Sequence, residues 1–559
     1  MSALVSSLAS ESQGLPERDT VGSTALKPNA GTKSEAQPFA YDAMPYPGSP
    51  FSQTHPRRLA TLASLHGMTP APPARCRVLE LGCGDGANLV PMAYQFPDSD
   101  FLGIDLSAPA IEIGLKNVAE LSLPNIELRA LDIAELTPAF GRFDYIISHG
   151  VYSWVPSAVR AKILSIFRAN LAPQGVAYVS YNCQPGSYLR DLTRAIMLFH
   201  VRDTADAERQ LQQARLLLQI LADTSNEKEP YGHVLRSQHE RVRKTPDVVL
   251  YHDDLDPSAE AFFLYQVVEA ASRNGLQYLA DATSPILTGA LAELRGEPEP
   301  VLKLLTQIPE TDWVAREQYL DFVKGRMFRE TLLCHREIKL ERPLNLSRIK
   351  HFQFSSDIMP ASADLDPSQS GPAEFKTRAG QKIRTDHRLA KAAFLHLGKI
   401  WPQTIGAADL VTAALTRLGP TSDAVQPDFD EQVGALTEIL MSCFCAGVIE
   451  LDAFPLNLMA TNSDRPHASL LVRKQLANGS PLTNLRHGIV VLEDPVTRCL
   501  VPLLDGTRTV DQLVSDLATA ASTRSNDGNA GVAAVEPVIS RENVLGKLRL
   551  LARLGLLIA

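Results

Sequence analysis

The stretch Arg77-Val78-Leu79-Glu80-Leu81-Gly82-Cys83-Gly84-Asp85-Gly86 constrains the fold more than any other part of the chain. A short apolar, β-favouring run ends in a loop with glycine at every second position, and a helical pattern follows over 87–96. A strand that feeds a glycine-rich turn and a helix N-terminus brings backbone N–H groups close to a nucleotide-like ligand. The spacing is Glu-x-Gly-x-Gly-x-Gly, not the dinucleotide Gly-x-Gly-x-x-Gly, and the Lys-Ser/Thr of a phosphate loop is missing. The acid ahead of the first glycine points to a ligand with a cationic end.

Strand and helix patterns alternate from there. Strands are predicted at 77–81, 100–105, 126–130, 143–148 and 175–181, with helices at 87–96, 108–121 and 157–171 between them. This predicts an α/β fold, a parallel sheet with helices on both faces. Right-handed crossovers gather the strand C-termini on one edge, where such sheets bind ligands. Asp105, followed by Leu106, closes the second strand, where an acid can accept both ribose hydroxyls. Asp132 follows the third strand and can accept from an adenine amino group, with Ile133 against the ring. His149 and Gly150 follow the fourth. Each acid alone reads as a loop or cap residue. Four strand-terminal sites in this order read as a site for S-adenosylmethionine (SAM), and the loop from Glu80 through Gly82, Cys83 and Gly84 resembles motif I of the class I SAM-dependent methyltransferases.

Methyl transfer is an in-line displacement at a sulfonium. The protein must align the acceptor, exclude water and, for an amine, take it uncharged. Chemistry is expected beyond strands four and five, where His149, Tyr152, Trp154, Tyr181 and Asn182 are in reach. Tyr and Asn can hydrogen-bond an acceptor, and aromatic faces can hold a cationic amine or the sulfonium. The other reading of Tyr152 and Trp154 is packing between sheet and helix. No dedicated general base is evident, and a lysine can lose its proton to water before it enters.

Residues 1–37 are rich in Ser, Gly, Thr, Glu and Pro without a period, and disorder is predicted there. Order is expected from Pro38-Phe39. The segment 41–56 carries four prolines and three aromatics, and its Tyr41, Tyr46 and His55 are candidate cofactor-binding residues. It reads either as a strap over a pocket or as a strap that packs on the surface. A helix is predicted over 57–66. Residues 187–225 look helical, 205–223 with one apolar face, which could cap the substrate, pair two copies or simply pack. Further helices are predicted over 259–274, 284–306 and 314–326. The stretches 276–280 and 328–335 are expected to supply the sixth and seventh strands as an antiparallel edge. The domain plan is therefore a methyltransferase core over 38–190, and helical insertions with the last two strands over 191–340. A linker follows over 341–375, then winged-helix-like α-rich modules over 376–455 and 456–559.

Several longer stretches carry a family resemblance. They are Tyr41-Asp-x-x-Pro-Tyr-Pro with Thr54-His-Pro56, Glu80 to Gly86, His149-Gly-Val-Tyr-Ser-Trp-Val-Pro156, Tyr181-Asn-x-x-Pro-Gly186, Gly275-Leu-Gln-Tyr-Leu279, and Arg316-Glu-Gln-Tyr319 with Phe328-Arg329. Over 39–340, and more loosely to the C-terminus, the chain resembles bacterial class I SAM-dependent methyltransferases that carry a methyltransferase regulatory domain, a group that includes the rickettsial outer-membrane-protein lysine methyltransferases. The resemblance implies SAM as cofactor, held at Glu80, Gly82, Asp105 and Asp132. It also implies methylation of lysines on a protein substrate, such as a surface or outer-membrane protein before export. The pair Cys183-Gln184 departs from the family's more polar-aromatic variant, which bears on acceptor specificity. The alternatives are a small-molecule methyltransferase and a catalytically inactive SAM-binding interaction protein.

Composition narrows this further. The 559 residues allow about three or four domains. A net charge of −9 argues against a general nucleic-acid binder, so the winged-helix-like modules are expected to meet protein. No apolar run of about 18 residues is present, and no N-terminal pattern of a secretory signal, so a cytoplasmic chain without a membrane span is expected. The seven cysteines are scattered, and the lone Cys443-x-Cys445 pair makes no metal site by itself. A homodimer through the inserted helices is a further expectation.

Overall fold

The computed structural model describes Met44, Tyr46 and residues 48–283, 298–342, 346–419, 428–456, 458, 463–525 and 539–558. The expectations for 1–37, Pro38-Phe39, Tyr41 and 284–297 lie outside these residues.

A seven-stranded sheet organises the N-terminal half. Its strands are β1 (Arg77–Leu81), β2 (Asp100–Asp105), β3 (Ile126–Ala130), β4 (Phe143–Ser148), β5 (Leu171–Asn182), β6 (Leu276–Asp281) and β7 (Phe328–His335), in the order β3-β2-β1-β4-β5-β7-β6. The first five run parallel, and β7 is antiparallel to both β5 and β6. The central strands β1, β2 and β4 are buried on both faces because helices cover both, while the edge strand β3 buries only Leu128. Residues alternate across β5. Val176 and Tyr178 enter one core, and Ala177, Val179 and Tyr181 enter the other. Helices α1 (Pro56–Leu65), α2 (Leu89–Gln95), α3 (Ala108–Glu120) and α4 (Ser157–Asn170) fall where the pattern places them. The start of β5 differs. It pairs from Leu171, and a register shift then carries the strand past Pro173, which has no N–H for the ladder.

Between β5 and β6 the chain folds into α5 (Ser187–Val201), α6 (Ala207–Thr224), α7 (Pro230–Lys244), α8 (Asp247–Asp254) and α9 (Leu264–Arg273). The first four build their own core from Met197, Leu211, Leu218, Leu235, Val242 and Leu250. The helix expected over 259–274 begins only at Leu264. Before it, Phe262 bridges Cys183 and its N–H donates to the Asn182 carbonyl at 2.9 Å, which keeps that segment extended. Helices α10 (Glu299–Leu305) and α11 (Trp313–Lys324) precede β7.

The linker expected over 341–375 is a correction. Here lie β8 (Gln353–Ser355), β9 (Met359–Pro360) and the start of β10 (Ala373–Lys376), which pairs with β9 and with β11 (Lys382–Thr385). Helix α12 (Arg388–Ile400) follows, then β12 (Ile405–Gly406), α13 (Ala407–Leu418), α14 (Phe429–Cys445) and β13 (Glu450–Asp452). Strand β8 sits between β12 and β13. The Ser, Asp, Pro and Gly around these short strands hide them, yet Phe354 and Phe375 are fully buried. Their core is continuous with the catalytic one, since Leu62, Tyr278, Phe354, Phe394 and Leu440 share a cluster.

The last module has a separate core of Val472, Leu500, Leu513 and Leu548. Its elements are α15 (Leu470–Ala477), β14 (Leu482–Thr483), β15 (Ile489–Val490), α16 (Pro495–Leu500), α17 (Val510–Ser525) and α18 (Arg541–Arg553). Asp494 caps α16 as its position before Pro495 predicts, accepting from Thr497 N. Helix α15 and the β14–β15 hairpin had no sequence expectation. Near the end of the module Ala468 and Leu557 form a single antiparallel bridge.

Candidate active site

The glycine loop leaves β1 on the strand C-terminal edge. Gly82 has φ +74°, and a Cβ there would stand 2.5 Å from Val151 Cγ2, so glycine is required at this turn. Asp105 ties the loop to the next strand. Its Oδ2 accepts from Gly84 N at 2.8 Å and its Oδ1 from Ser107 N at 2.9 Å. The carboxylate is half-buried and keeps lone pairs for a diol. Asp132 accepts from Ala134 N at 2.8 Å beside a half-buried Ile133, and Leu106 is exposed. The Cys83 thiol is buried and its pKa is raised by that burial.

Glu80 is unlike the other acids of this edge. It is buried, and Oε1 accepts from Asn88 Nδ2 at 2.8 Å, while Oε2 is buried with no hydrogen-bond partner. Burial pushes its carboxyl up to about 8, the Asn88 bond pulls the other way, and Asp105 and Asp85 add to the rise. A bare buried carboxylate oxygen is a docking point for a donor, and a cationic donor restores its ionised form.

The strap at 48–55 lies over this loop. Phe51 N donates to Asn88 Oδ1 at 2.9 Å, and a Cβ on Gly48 would stand 2.1 Å from Asp85 Oδ1. The Phe51 ring stacks on His149 with centroids 3.9 Å apart. Gln53 Nε2 donates to Glu330 Oε1 at 2.8 Å. His149 Nδ1 is 2.8 Å from the Tyr178 hydroxyl, which donates to the same Glu330 oxygen at 3.2 Å. With Tyr178 donating to Glu330, His149 Nδ1 supplies a proton to the phenol oxygen and Nε2 carries the lone pair. Burial holds the imidazole down to about 4 and raises the Glu330 carboxyl. Gly150, at φ +66°, donates its N–H to Ser180 Oγ at 2.8 Å.

Other expected residues sit elsewhere. Tyr181 and Tyr152 are corrections, because both are packed into the apolar cluster on the far face of β5 with Ile163 and Phe167. The Tyr181 hydroxyl is satisfied by Thr331 Oγ1 at 2.8 Å, and the Tyr152 ring meets Phe262 edge-on at 5.4 Å. Alternation along the strand decides this, since Tyr178 and Tyr181 differ by an odd step. Trp154 and Asn182 stay half-buried. The Trp154 carbonyl accepts from Ser258 Oγ at 3.2 Å, and Asn182 N donates to Ser153 Oγ at 2.8 Å. Tyr46 is also displaced, its ring edge-on to His252 of α8 at 5.9 Å instead of on the glycine loop. His55 caps α1 through Nδ1 and lies buried behind the loop. The sequence reading missed Phe51, Gln53, Asn88, Tyr178 and Glu330. Tyr178 reads as core. Arg329-Glu330 inside an apolar strand was a usable signal, because charges are buried in strands only with partners.

Three family models match the chain. They are a methyltransferase domain over 73–238, a predicted methyltransferase regulatory domain over 246–335, and the C-terminal winged helix domain of PKMT over 464–537. An uncharacterized protein of Rickettsia prowazekii is 38% identical over 331 residues, 59% of this chain and 59% of that protein's own length. A second uncharacterized protein of the same organism is 37% identical over 43% of this chain and 97% of its own length. The structure of PKMT2 from Rickettsia typhi in complex with AdoHcy superposes with a TM-score of 0.80 at 29% identity, over 92% of this chain and all of that one (100%). The chain belongs to the bacterial class I SAM-dependent methyltransferases that carry a methyltransferase regulatory domain. SAM is the methyl donor of that family.

Proposed function

We propose that this chain transfers the methyl group of SAM to lysine side chains of a protein. The observation that carries the reading is the likeness to PKMT2 along 92% of the chain, winged-helix end included. In the site, Glu80 Oε2 would take the ammonium end of the cofactor, Asp105 the ribose diol, and Asp132 with Ile133 the adenine. Gly82, Cys83, Gly84, Leu106 and Gly150 would line it with backbone and apolar surface. Bound SAM supplies an electrophilic methyl group. A lysine enters as an ammonium and must shed a proton before it can attack. Burial keeps His149 neutral, so its Nε2 lone pair would accept a hydrogen bond from the deprotonated amine and orient it, with Tyr178 and Glu330 holding that tautomer. Trp154 and Asn182 would border the acceptor, and the strap at 48–55 would keep water from the reacting atoms.

We infer a cytoplasmic chain, which would meet its acceptor before any export. Among the described residues no helix is long and apolar enough to cross a membrane, and none of the seven cysteines forms a disulfide. We also propose the homodimer through α6, which turns Leu211, Ala214 and Leu218 inward and leaves Leu216 and Ile220 exposed.

The test is to incubate the chain with methyl-deuterated SAM and a bacterial lysate depleted of small molecules, then to map labelled peptides by mass spectrometry. Label on lysine, lost in His149→Ala, supports the reading. Label found only when the small-molecule fraction is restored would replace it with a small-molecule methyltransferase. Cofactor binding without label in either fraction would leave an inactive SAM-binding protein.

A further inference from the structure

The turn 484–488 of the last module reaches back to the glycine loop of the catalytic sheet. His487 is buried at its tip, with Nε2 2.9 Å from Asn88 Oδ1. The same oxygen accepts the backbone N–H of Phe51 at 2.9 Å. A backbone N–H can only donate, so the oxygen assignment of Asn88 is fixed and His487 Nε2 must carry the proton. The Asn88 amide nitrogen is thereby turned to Glu80, donating to Oε1 at 2.8 Å. Burial holds His487 down to about 3, so it stays a neutral donor. His487, Asn88 and Glu80 form one polarised row, in which His487 and Asn88 lie 399 residues apart in the chain.

The turn is built to hold that side chain. His487 has φ +61°, a left-handed conformation uncommon outside glycine. Asn484 Oδ1 braces it by accepting from Arg486 N at 3.0 Å and Gly488 N at 2.7 Å. Arg486 anchors the flank on the Pro402 carbonyl and Ser355 Oγ, at 2.8 and 2.9 Å, and lies 4.4 Å over the Trp401 ring. Helix α2, which carries the loop's downstream end, is docked on the same module. Gln95 Nε2 donates to the Leu485 carbonyl at 2.8 Å, and Leu470 N donates to the Tyr94 hydroxyl at 3.0 Å. A residue in a strained conformation, braced on both sides, gives its one donor to the side chain that orients Glu80.

We propose that His487 is a positioning residue for cofactor binding, which acts through Asn88 to aim the unpartnered Oε2 of Glu80 at the ammonium end of SAM. This rests on the reading of Glu80 as the ammonium acceptor. The winged-helix module then completes the cofactor site, and whatever displaces it from α2 weakens cofactor binding.

The test titrates AdoHcy into the full chain by calorimetry, alongside melting of the ligand-free protein and steady-state kinetics. His487→Asn suits the left-handed turn but falls short of Asn88. It is expected to bind about tenfold more weakly, the worth of one hydrogen bond, with a raised KM for SAM and kcat close to parental. His487→Gln places an amide N–H near the lost Nε2 and is expected to return within about twofold of parental affinity. Parental affinity in His487→Asn overturns the proposal. So does an equal loss in both variants that tracks a fall in melting temperature, because that marks the turn as structural only. Glu80→Gln separates the two layers. If it binds as the parent does, the Glu80 reading fails and takes the proposal with it. If it weakens binding while His487→Asn does not, only the role of His487 falls.

Discussion

Two buried acids, one on strand β1 and one on helix α11 beside the sheet's far edge, are treated in opposite ways. Asp321, near the β6–β7 edge, is fully buried and has both oxygens on Arg329, at 2.7 and 2.9 Å, with Arg326 beside it at 2.9 Å. Arg329 is itself inaccessible and also meets Glu317 at 3.0 Å and Asp281 at 3.3 Å. At the β1 edge Glu80 is buried too, yet among the described residues its one hydrogen bond is to an amide and one oxygen is bare. Among the described residues no Lys, Arg or His forms an ion pair with it, and its carboxyl is pushed up to about 8. A buried charge that is saturated serves the fold. One left half-satisfied, at the edge where this sheet gathers its loops, is kept for a ligand.

That contrast can be broken first at Arg329. Arg329→Ala takes a buried partner from three carboxylates, leaving Arg326 beside Asp321 and Asp281, and is expected to cost about 3–5 kcal/mol of stability, read by chemical denaturation. A small loss would mean the network is dispensable. Asp105→Ala comes next. It removes the diol's acceptor and the tie to Gly84, and is expected to weaken SAM affinity by about 100-fold or more without unfolding the chain. Isothermal titration with parental affinity would refute the ribose assignment. Tyr178→Phe cuts the link between His149 and Glu330 and is expected to lower kcat about tenfold while leaving the SAM dissociation constant alone. An unchanged kcat would remove the orienting role of His149. Tyr152→Phe should change kcat by less than about twofold, since the ring and not the hydroxyl packs in the far-face core.

The sheet was legible because its signals are local. Apolar runs end in Glu80, Asp105, Asp132 and His149, and the crossover rule alone gathers them on one edge. Strands β6 and β7 were found despite the long insertion because 276–280 and 328–335 are short, apolar-rich runs between helical patterns. The strands within 341–375 were not, because elements of two to four residues among Pro, Ser and Gly carry no readable period. Within the site, the cofactor acids were legible and the acceptor side was not. Tyr181 and Tyr178 are equally aromatic on paper, and only the register of β5 tells which one faces His149. Asn88 and His487 are remote in sequence, so their pairing exists only in the folded chain.

The most direct test of Glu80 is proton linkage in cofactor binding. A carboxyl raised in the folded, ligand-free chain favours folding below its ordinary value of 4.5, and that contribution is lost as pH rises toward about 8. A bound ammonium must reverse the shift and expel the proton. Calorimetric titration of AdoHcy, in buffers of differing ionisation enthalpy across pH 6.5 to about 8.5, should show proton release below about 8 and affinity that rises with pH. Glu80→Gln should lose both and bind at least about tenfold more weakly. Proton release and affinity identical in the parent and Glu80→Gln would contradict the account.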